Sequence, residues 1–281
     1  MTKLILAFLC ASLLTACGGD ADSFISGAIS SAADTAQGTV QGGSGEAGES
    51  AEPSETAVEP IKRDLDYKYD KVVALTFDDG PNTTTTREVL EVLKKHGVVA
   101  SFFLVGNNIN DETAEVVKYA YDLGCEIDNH SKSHGYMNEM SKEDCAAEYK
   151  YVDDKVFEIT GEHTKFFRPP YLAISDQMWD YIDAPFIAGV GCDDWNPKVD
   201  TERRIAYIEK KAQNGGLDGK IILLHDAQGN DQTVAAIDEI IPALKAEGYR
   251  FVTVSELFEE KGIEPAELIL YTDVEQTGMW S

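Results

Sequence analysis

The sequence predicts an α/β protein whose parallel sheet is covered by helices, and three observations carry that expectation. Apolar, β-branched runs of strand length alternate with segments of helical spacing from near Tyr67 to Gly262. That stretch of about two hundred residues is ample for one domain with its own core. The polar fragments that follow these runs all fall at the C-terminal ends of expected strands, where parallel α/β barrels assemble their sites.

Val72–Phe77 is the first expected strand. Thr85–His96 follows as a helix, with Val89, Leu90 and Leu93 on one face and Gly97 as its stop. Val98–Val105 is the second strand, Glu112–Leu123 the second helix ending at Gly124, and Cys125–Asp128 a short third strand. Ser141 begins a long helix reaching Ile159, because its hydroxyl can accept from backbone N–H groups and the acids after it suit a helix N-terminus. Lys165–Arg168 is the fourth strand, Asp176–Ile182 a short helix and Phe186–Val190 the fifth strand. Glu202–Gln213 is helical, Lys220–Leu224 is the sixth strand, and Thr233–Glu247 is a helix containing Pro242. Phe251–Val254 closes the series, with Ser255 capping a last helix to about Lys261. Periodicity leaves open whether the sheet stays open or curls into a barrel.

The ends read differently. Residues 1–17 look like a targeting segment: Lys3 is followed by an apolar run to Leu14, too short to span a bilayer. Leu14-Thr15-Ala16-Cys17 resembles a bacterial lipobox, which implies cleavage before Cys17, lipid on that cysteine and a location outside the cytoplasm on the cell membrane. Residues 18–66 are rich in Gly, Ser, Ala and Glu and are expected to form a disordered acidic tether. Residues 263–281 form an acidic tail with Tyr271 and Trp280, either docked or loose. A formal charge of −26 argues against nucleic acid or anionic lipid headgroups as partners. Cys125, Cys145 and Cys192 in the body are odd in number and lack a C-x-x-C pair, so buried free thiols are expected rather than a disulfide scaffold.

Five fragments carry the chemistry. Thr76-Phe77-Asp78-Asp79-Gly80-Pro81 ends the first strand. Alone it would read as a turn, but adjacent carboxylates at a strand end point different ways and can take different roles. His130-Ser131-Lys132-Ser133-His134 offers two imidazoles, which with one carboxylate leave a divalent ion open positions for water and substrate. Arg168-Pro169-Pro170-Tyr171 holds a guanidinium on a path fixed by two prolines. Asp193-Asp194-Trp195 and Leu223-Leu224-His225-Asp226 add an acid, an aromatic and a late histidine. His96, at an expected helix end, and His163, in a polar loop, read as structural.

In this order and spacing the set resembles the polysaccharide deacetylases of the NodB-homology family, carbohydrate esterase family four. The resemblance covers nearly the whole body and implies a distorted seven-stranded (β/α) barrel. It implies Asp79, His130 and His134 as ligands of a divalent metal, zinc first, with cobalt or nickel as alternatives. It implies Asp78 as general base paired with Arg168, Tyr171 as backbone donor to an oxyanion, and His225 as general acid oriented by Asp194. Trp195, Leu223 and Pro170 become walls of an acetyl pocket. The chain departs from the family pattern at Gly191, where an acid is usual, at the additional Asp193, and at Leu172, where many members have glycine. The implied activity is deacetylation of a carbohydrate, first of N-acetylglucosamine units in peptidoglycan or chitooligosaccharides, with O-acetylated xylan as the alternative. A glycan-binding surface lipoprotein without turnover is the contrasting expectation. The acetylated carbohydrate is the expected partner, with the membrane reached only through the lipid and no protein partner implied.

Overall fold

The structure, a computed structural model, describes residues 57–63 and 70–278. The expected signal segment, Cys17, the tether up to residue 56 and Trp280 lie outside the described residues. In chain order the elements are β1 (Lys71–Asp78), α1 (Thr85–His96), β2 (Ser101–Leu104), α2 (Asp111–Asp122), β3 (Glu126–Asn129), α3 (Lys142–Thr160), β4 (Phe186–Ile187), β5 (Val190–Gly191), α4 (Thr201–Ala212), β6 (Ile221–His225), α5 (Asp231–Ala246), β7 (Tyr249–Val252), α6 (Val254–Lys261) and β8 (Leu270–Tyr271). None of the described helices is long and apolar enough to cross a membrane.

Among the described residues every strand pair is parallel, and the pairs form a circuit. β1 is bonded to β6 along one edge, while its other edge is shared between β7 at Lys71–Ala74 and β2 at Thr76–Asp78. β2 pairs with β3. The circuit continues through single bridges, Asn129 to Phe167 and Phe167 to Phe186, and closes where β5 meets β6. This is a distorted α/β barrel. Along β1 the pleat sends Val73, Leu75 and Phe77 outward into the helix-covered core. Val72 and Ala74 face inward and, with Phe103, Ile187, Ile221 and Val252, pack one end of the barrel shut. Thr76 and Asp78 continue the inward row toward the other end.

The distortion has local causes. Lys165–Arg168 runs extended but forms only bridges, not the expected strand. Asp128 Oδ1 captures the Lys165 and Phe166 amides at 3.1 and 3.0 Å, and Pro169 and Pro170 offer no donors. The expected strand Phe186–Val190 is broken into β4 and β5. The Arg168 guanidinium occupies the Ile187 and Ala188 carbonyls at 3.3 and 2.7 Å, and a Cβ on Gly189 would meet Leu223 Cβ at 2.6 Å. Thr253, not Ser255, caps α6, with its side chain accepting from Glu256 N while Ser255 binds Glu126.

The expected tail is part of the barrel. β8 pairs with β4, Ala188 N donates to Tyr271 O at 2.6 Å and Ile221 N to Thr272 O at 3.1 Å, so residues 270–274 fill the gap between β4 and β6. At the other end, residues 57–63 pack where composition predicts a tether. Ile61 is buried against the core, its N–H donates to Leu123 O at 3.0 Å, and Arg63 pairs with Glu256 at 2.6 Å. One apolar residue, one backbone hydrogen bond and one part-buried ion pair together seat the segment. Cys125, Cys145 and Cys192 are free and buried, and burial pushes the Cys125 and Cys192 thiols up to about 12.

Candidate active site

Register places the first two groups. Asp78 closes β1 directly opposite His225, which closes β6, so a carboxylate and an imidazole stand side by side on the inward face at the barrel mouth. Asp79 leaves the strand with φ 76°, a left-handed conformation that Asp adopts more readily than most residues. The turn after it needs glycine, because a Cβ on Gly80 would lie 2.6 Å from Asp226 Oδ2. Of the eight described non-glycine residues with positive φ, Asp79, Ser131, His134, Tyr171, Leu172 and Asp193 lie in the loops around this mouth. Backbone strain is thus concentrated where side chains are being aimed.

Arg168 is wholly buried behind Asp78. Its Nη1 donates to Asp78 Oδ1 at 2.5 Å, and its guanidinium carbon lies 4.0 Å from the centre of the Phe103 ring. Burial alone would raise the Asp78 carboxyl, but the charges of Arg168, His130 and His225 outweigh it and hold the group below its ordinary value. Asp78 is therefore a desolvated carboxylate whose second oxygen, Oδ2, lies at the cavity 3.6 Å from His130 Nε2.

His130 follows β3, and its Nδ1 sits 2.7 Å from the Arg168 carbonyl oxygen. A carbonyl only accepts, so Nδ1 carries the proton and Nε2 presents its lone pair. That Nε2 lies 3.7 Å from Asp79 Oδ1, and His134 Nε2 lies 3.4 Å from the same oxygen. Burial favours the neutral imidazole of His130 over the pull of Asp78 and Asp79. One ligand atom from each of Asp79, His130 and His134 falls within 4.8 Å of the others. Two imidazoles and a carboxylate converging in this way fit a divalent ion with positions left for water and substrate.

His225 is gripped by Asp194, which accepts from its Nδ1 at 2.9 Å and from its backbone N at 2.7 Å. Burial disfavours the imidazolium, yet the Asp194 hydrogen bond and charge, with Asp78 and Asp79 adding, raise the group to about 9. Behind them stand residues that sequence reading missed. Thr233 Oγ1 donates to Asp194 Oδ2 at 2.8 Å, and the buried Arg204 donates to Thr233 Oγ1 at 2.7 Å and to Asn230 Oδ1 at 2.8 Å. All three lie on or beside helices, and nothing in their spacing marks them. Asp226 turns away from His225 and instead accepts from Thr86 at 2.5 Å. Burial, with the nearby Asp79 and Asp78 charges, raises its carboxyl to about 7.

These groups open into a cavity of about 520 Å³ lined by Asp78, Asp79, His130, His134, Pro169, Tyr171, Leu172, Trp195, Leu223 and His225. Arg168 and Asp194 stand behind it. Pro170, expected in the wall, is buried outside the lining, and Pro169 takes that place because Tyr171 turns the chain at φ 59°. Tyr171 is 56% exposed and stacks on Tyr136, ring centres 4.2 Å apart, while Trp195 is 64% exposed across the cavity. His96 and His163 each bond an acid away from the site. Asp193 is exposed in a turn, and its backbone oxygen accepts from Asn196 N at 2.9 Å.

The chain is similar in sequence and fold to known proteins. The polysaccharide deacetylase family model matches residues 66–184. The chain is 44% identical over 195 residues to a bifunctional xylanase/deacetylase of Pseudobutyrivibrio xylanivorans, covering 69% of this chain but only 32% of that longer protein. It is 37% identical over 209 residues to a peptidoglycan-N-acetylglucosamine deacetylase of Bacillus cereus, covering 68% of this chain and 90% of that one. Among solved structures, a family 4 acetyl xylan esterase from Clostridium thermocellum in complex with a cobalt ion superposes with a TM-score of 0.70 at 39% identity, covering 73% of this chain and all of that one. On this likeness in sequence and fold, the chain belongs to the polysaccharide deacetylase family.

Proposed function

We propose that this protein is a metal-dependent hydrolase that removes acetyl groups from a carbohydrate chain. The observation that carries the reading is the convergence of Asp79, His130 and His134 within 4.8 Å, beside the Asp78–Arg168 and Asp194–His225 pairs. An ion held there, zinc in our reading with cobalt or nickel as alternatives, would supply Lewis acidity toward water and the acetyl oxygen. Asp78, kept anionic by Arg168, accepts a proton from the water that attacks the acetyl carbon. The Tyr171 N–H donates to the oxyanion as it forms. His225, held charged by Asp194, delivers its Nε2 proton to the leaving nitrogen or oxygen as the bond to the acetyl carbon breaks. The products are acetate and a free amine or hydroxyl. Trp195, Leu223 and Leu172 form the apolar wall against the methyl group.

N-acetylglucosamine units are one substrate class, supported by the peptidoglycan deacetylase likeness. O-acetylated xylan is a second reading, favoured by higher identity to a bifunctional xylanase/deacetylase and by the fold match to an acetyl xylan esterase. Acetate release from acetylxylan, chitooligosaccharides and peptidoglycan, measured side by side with and without chelator, tests both. Release from none of them by ion-loaded protein would leave the non-catalytic glycan-binding reading. We extend the proposal to export and lipidation at Cys17, tested by fatty-acid labelling of the wild type and of Cys17→Ser; equal labelling of the two would sink it.

A further inference from the structure

A second cleft, of about 290 Å³, shares Asp79 with the acetyl pocket. Three loops build it: the one after β1, the one between β2 and α2, and the one after β6. Its character is unlike that of the aromatic cavity, for side-chain amides dominate it. Asn108 spends its Nδ2 on the Asp79 carbonyl at 2.8 Å. Asn110 spends its Oδ1 on Glu112 N and Thr113 N at 3.0 and 3.1 Å. Asn107 and Gln228 are exposed in the lining, and their amides bond to no other described residue.

An amide offers two N–H donors and a carbonyl acceptor, the complement of a sugar hydroxyl that both donates and accepts. The charge in the cleft points the same way. Among the described residues no Lys, Arg or His lines it, and its described ionisable groups are Asp79 and Glu112, both acids. The start of α2 opens here, but Asn110 already occupies the amides that would otherwise hold an anion. A carboxylate on the substrate would find like charge and no cationic side chain among the described residues.

We propose that this cleft is the subsite for the uncharged sugar unit adjoining the one being deacetylated, and that Asn107 and Gln228 select neutral glycans of the xylan or chitooligosaccharide kind over glycans bearing carboxylates, such as peptidoglycan. The inference takes its placement beside the deacetylated unit from the deacetylase reading, whereas the binding of a neutral glycan by the cleft does not depend on it. In that arm, full-length protein loaded with the ion is assayed on an acetylated monosaccharide, on neutral acetylated oligomers of increasing length and on peptidoglycan fragments. Wild type gains kcat/KM with oligomer length and prefers the neutral chain. The double variant Asn107→Ala, Gln228→Ala raises KM for the oligomers about tenfold, the loss expected for two neutral hydrogen bonds, against a far smaller change on the monosaccharide. Both side chains are exposed, so the fold is kept.

In the binding arm, a neutral oligosaccharide without acetyl groups is titrated into wild type and double variant, and the dissociation constant rises by the same factor. Binding lost in the variant, with no acetate released by wild type from any glycan, would sink the deacetylase reading and leave the cleft standing. Unchanged oligomer KM and unchanged binding in the variant, or a wild-type preference for the carboxylated glycan, overturns the proposal.

Discussion

Replacing Arg168 by Met removes one partner of an ion pair that water does not reach. The side chains of Arg168 and Asp78 are 0% and 3% exposed, and the guanidinium also serves the carbonyls of Ile187 and Ala188. Methionine fills much of the volume but leaves the Asp78 carboxylate uncompensated and those carbonyls unpaired. Breaking a buried pair from one side costs about 3–5 kcal/mol, a large share of the roughly 5–15 kcal/mol that holds a domain folded. The sign with pH follows from the direction of the shift. In the wild type the folded pKa of Asp78 lies below the ordinary 3.8, so its contribution to stability is present above that value and lost as pH falls through the folded pKa. Without Arg168, burial becomes the dominant influence and raises the folded pKa, so the variant is penalised most at neutral pH. Urea unfolding between about pH 4 and about pH 8 should therefore show the gap between the two proteins widening as pH rises. The acidic limb of the activity profile should move upward. Adding Asp78→Asn to Arg168→Met should recover part of the lost stability, because the stranded charge is gone. A loss below about 1 kcal/mol, or strict additivity of the two substitutions, would refute the argument that the pair is held by mutual compensation.

Dialysis against a strong chelator should abolish acetate release, and His134→Ala should lose both turnover and bound ion by elemental analysis. His225→Ala should instead lose turnover while keeping its metal content near normal. Asp194→Asn removes the largest support of the imidazolium, so the His225 pKa should fall from about 9 and the basic limb of the activity profile should shift to lower pH. An NMR titration of the His225 ring checks this without reference to activity. Leu270→Ala should cost about 2–5 kcal/mol by denaturant titration, because Leu270 is 1% exposed in β8 and the residues around it close the barrel.

The regular elements were legible because their signals are local. The first helix runs from Thr85 to His96 as its spacing predicts, and Gly97 ends it at φ 63° as only a residue without Cβ does comfortably. Ser141 caps α3 by accepting from Asp144 N, again as read. The irregular stretches were not legible, since each is set by a partner distant in sequence. The stretch Lys165–Arg168 lost its ladder to Asp128, Phe186–Val190 was split by Arg168 and Leu223, and residues 57–63 and 270–274 were drawn in by surfaces made elsewhere. The same division holds in the site. Asp78, Asp79, His130, His134 and His225 stand out because catalytic residue types cluster at strand ends. Thr233, Asn230 and Arg204 support Asp194 with ordinary residue types on or beside helices.

What the sequence determined alone was the alternation of strand and helix and the chemistry available at each strand end, because pleat, helical turn and residue type act over a few neighbours. What only the tertiary structure decided was which ends meet. The parallel register that sets Asp78 opposite His225, and the carbonyl of Arg168 that turns the lone pair of His130 toward Asp79, arise from contacts across tens of residues of chain. Such contacts are fixed by packing and burial over the whole barrel, and no local pattern encodes them.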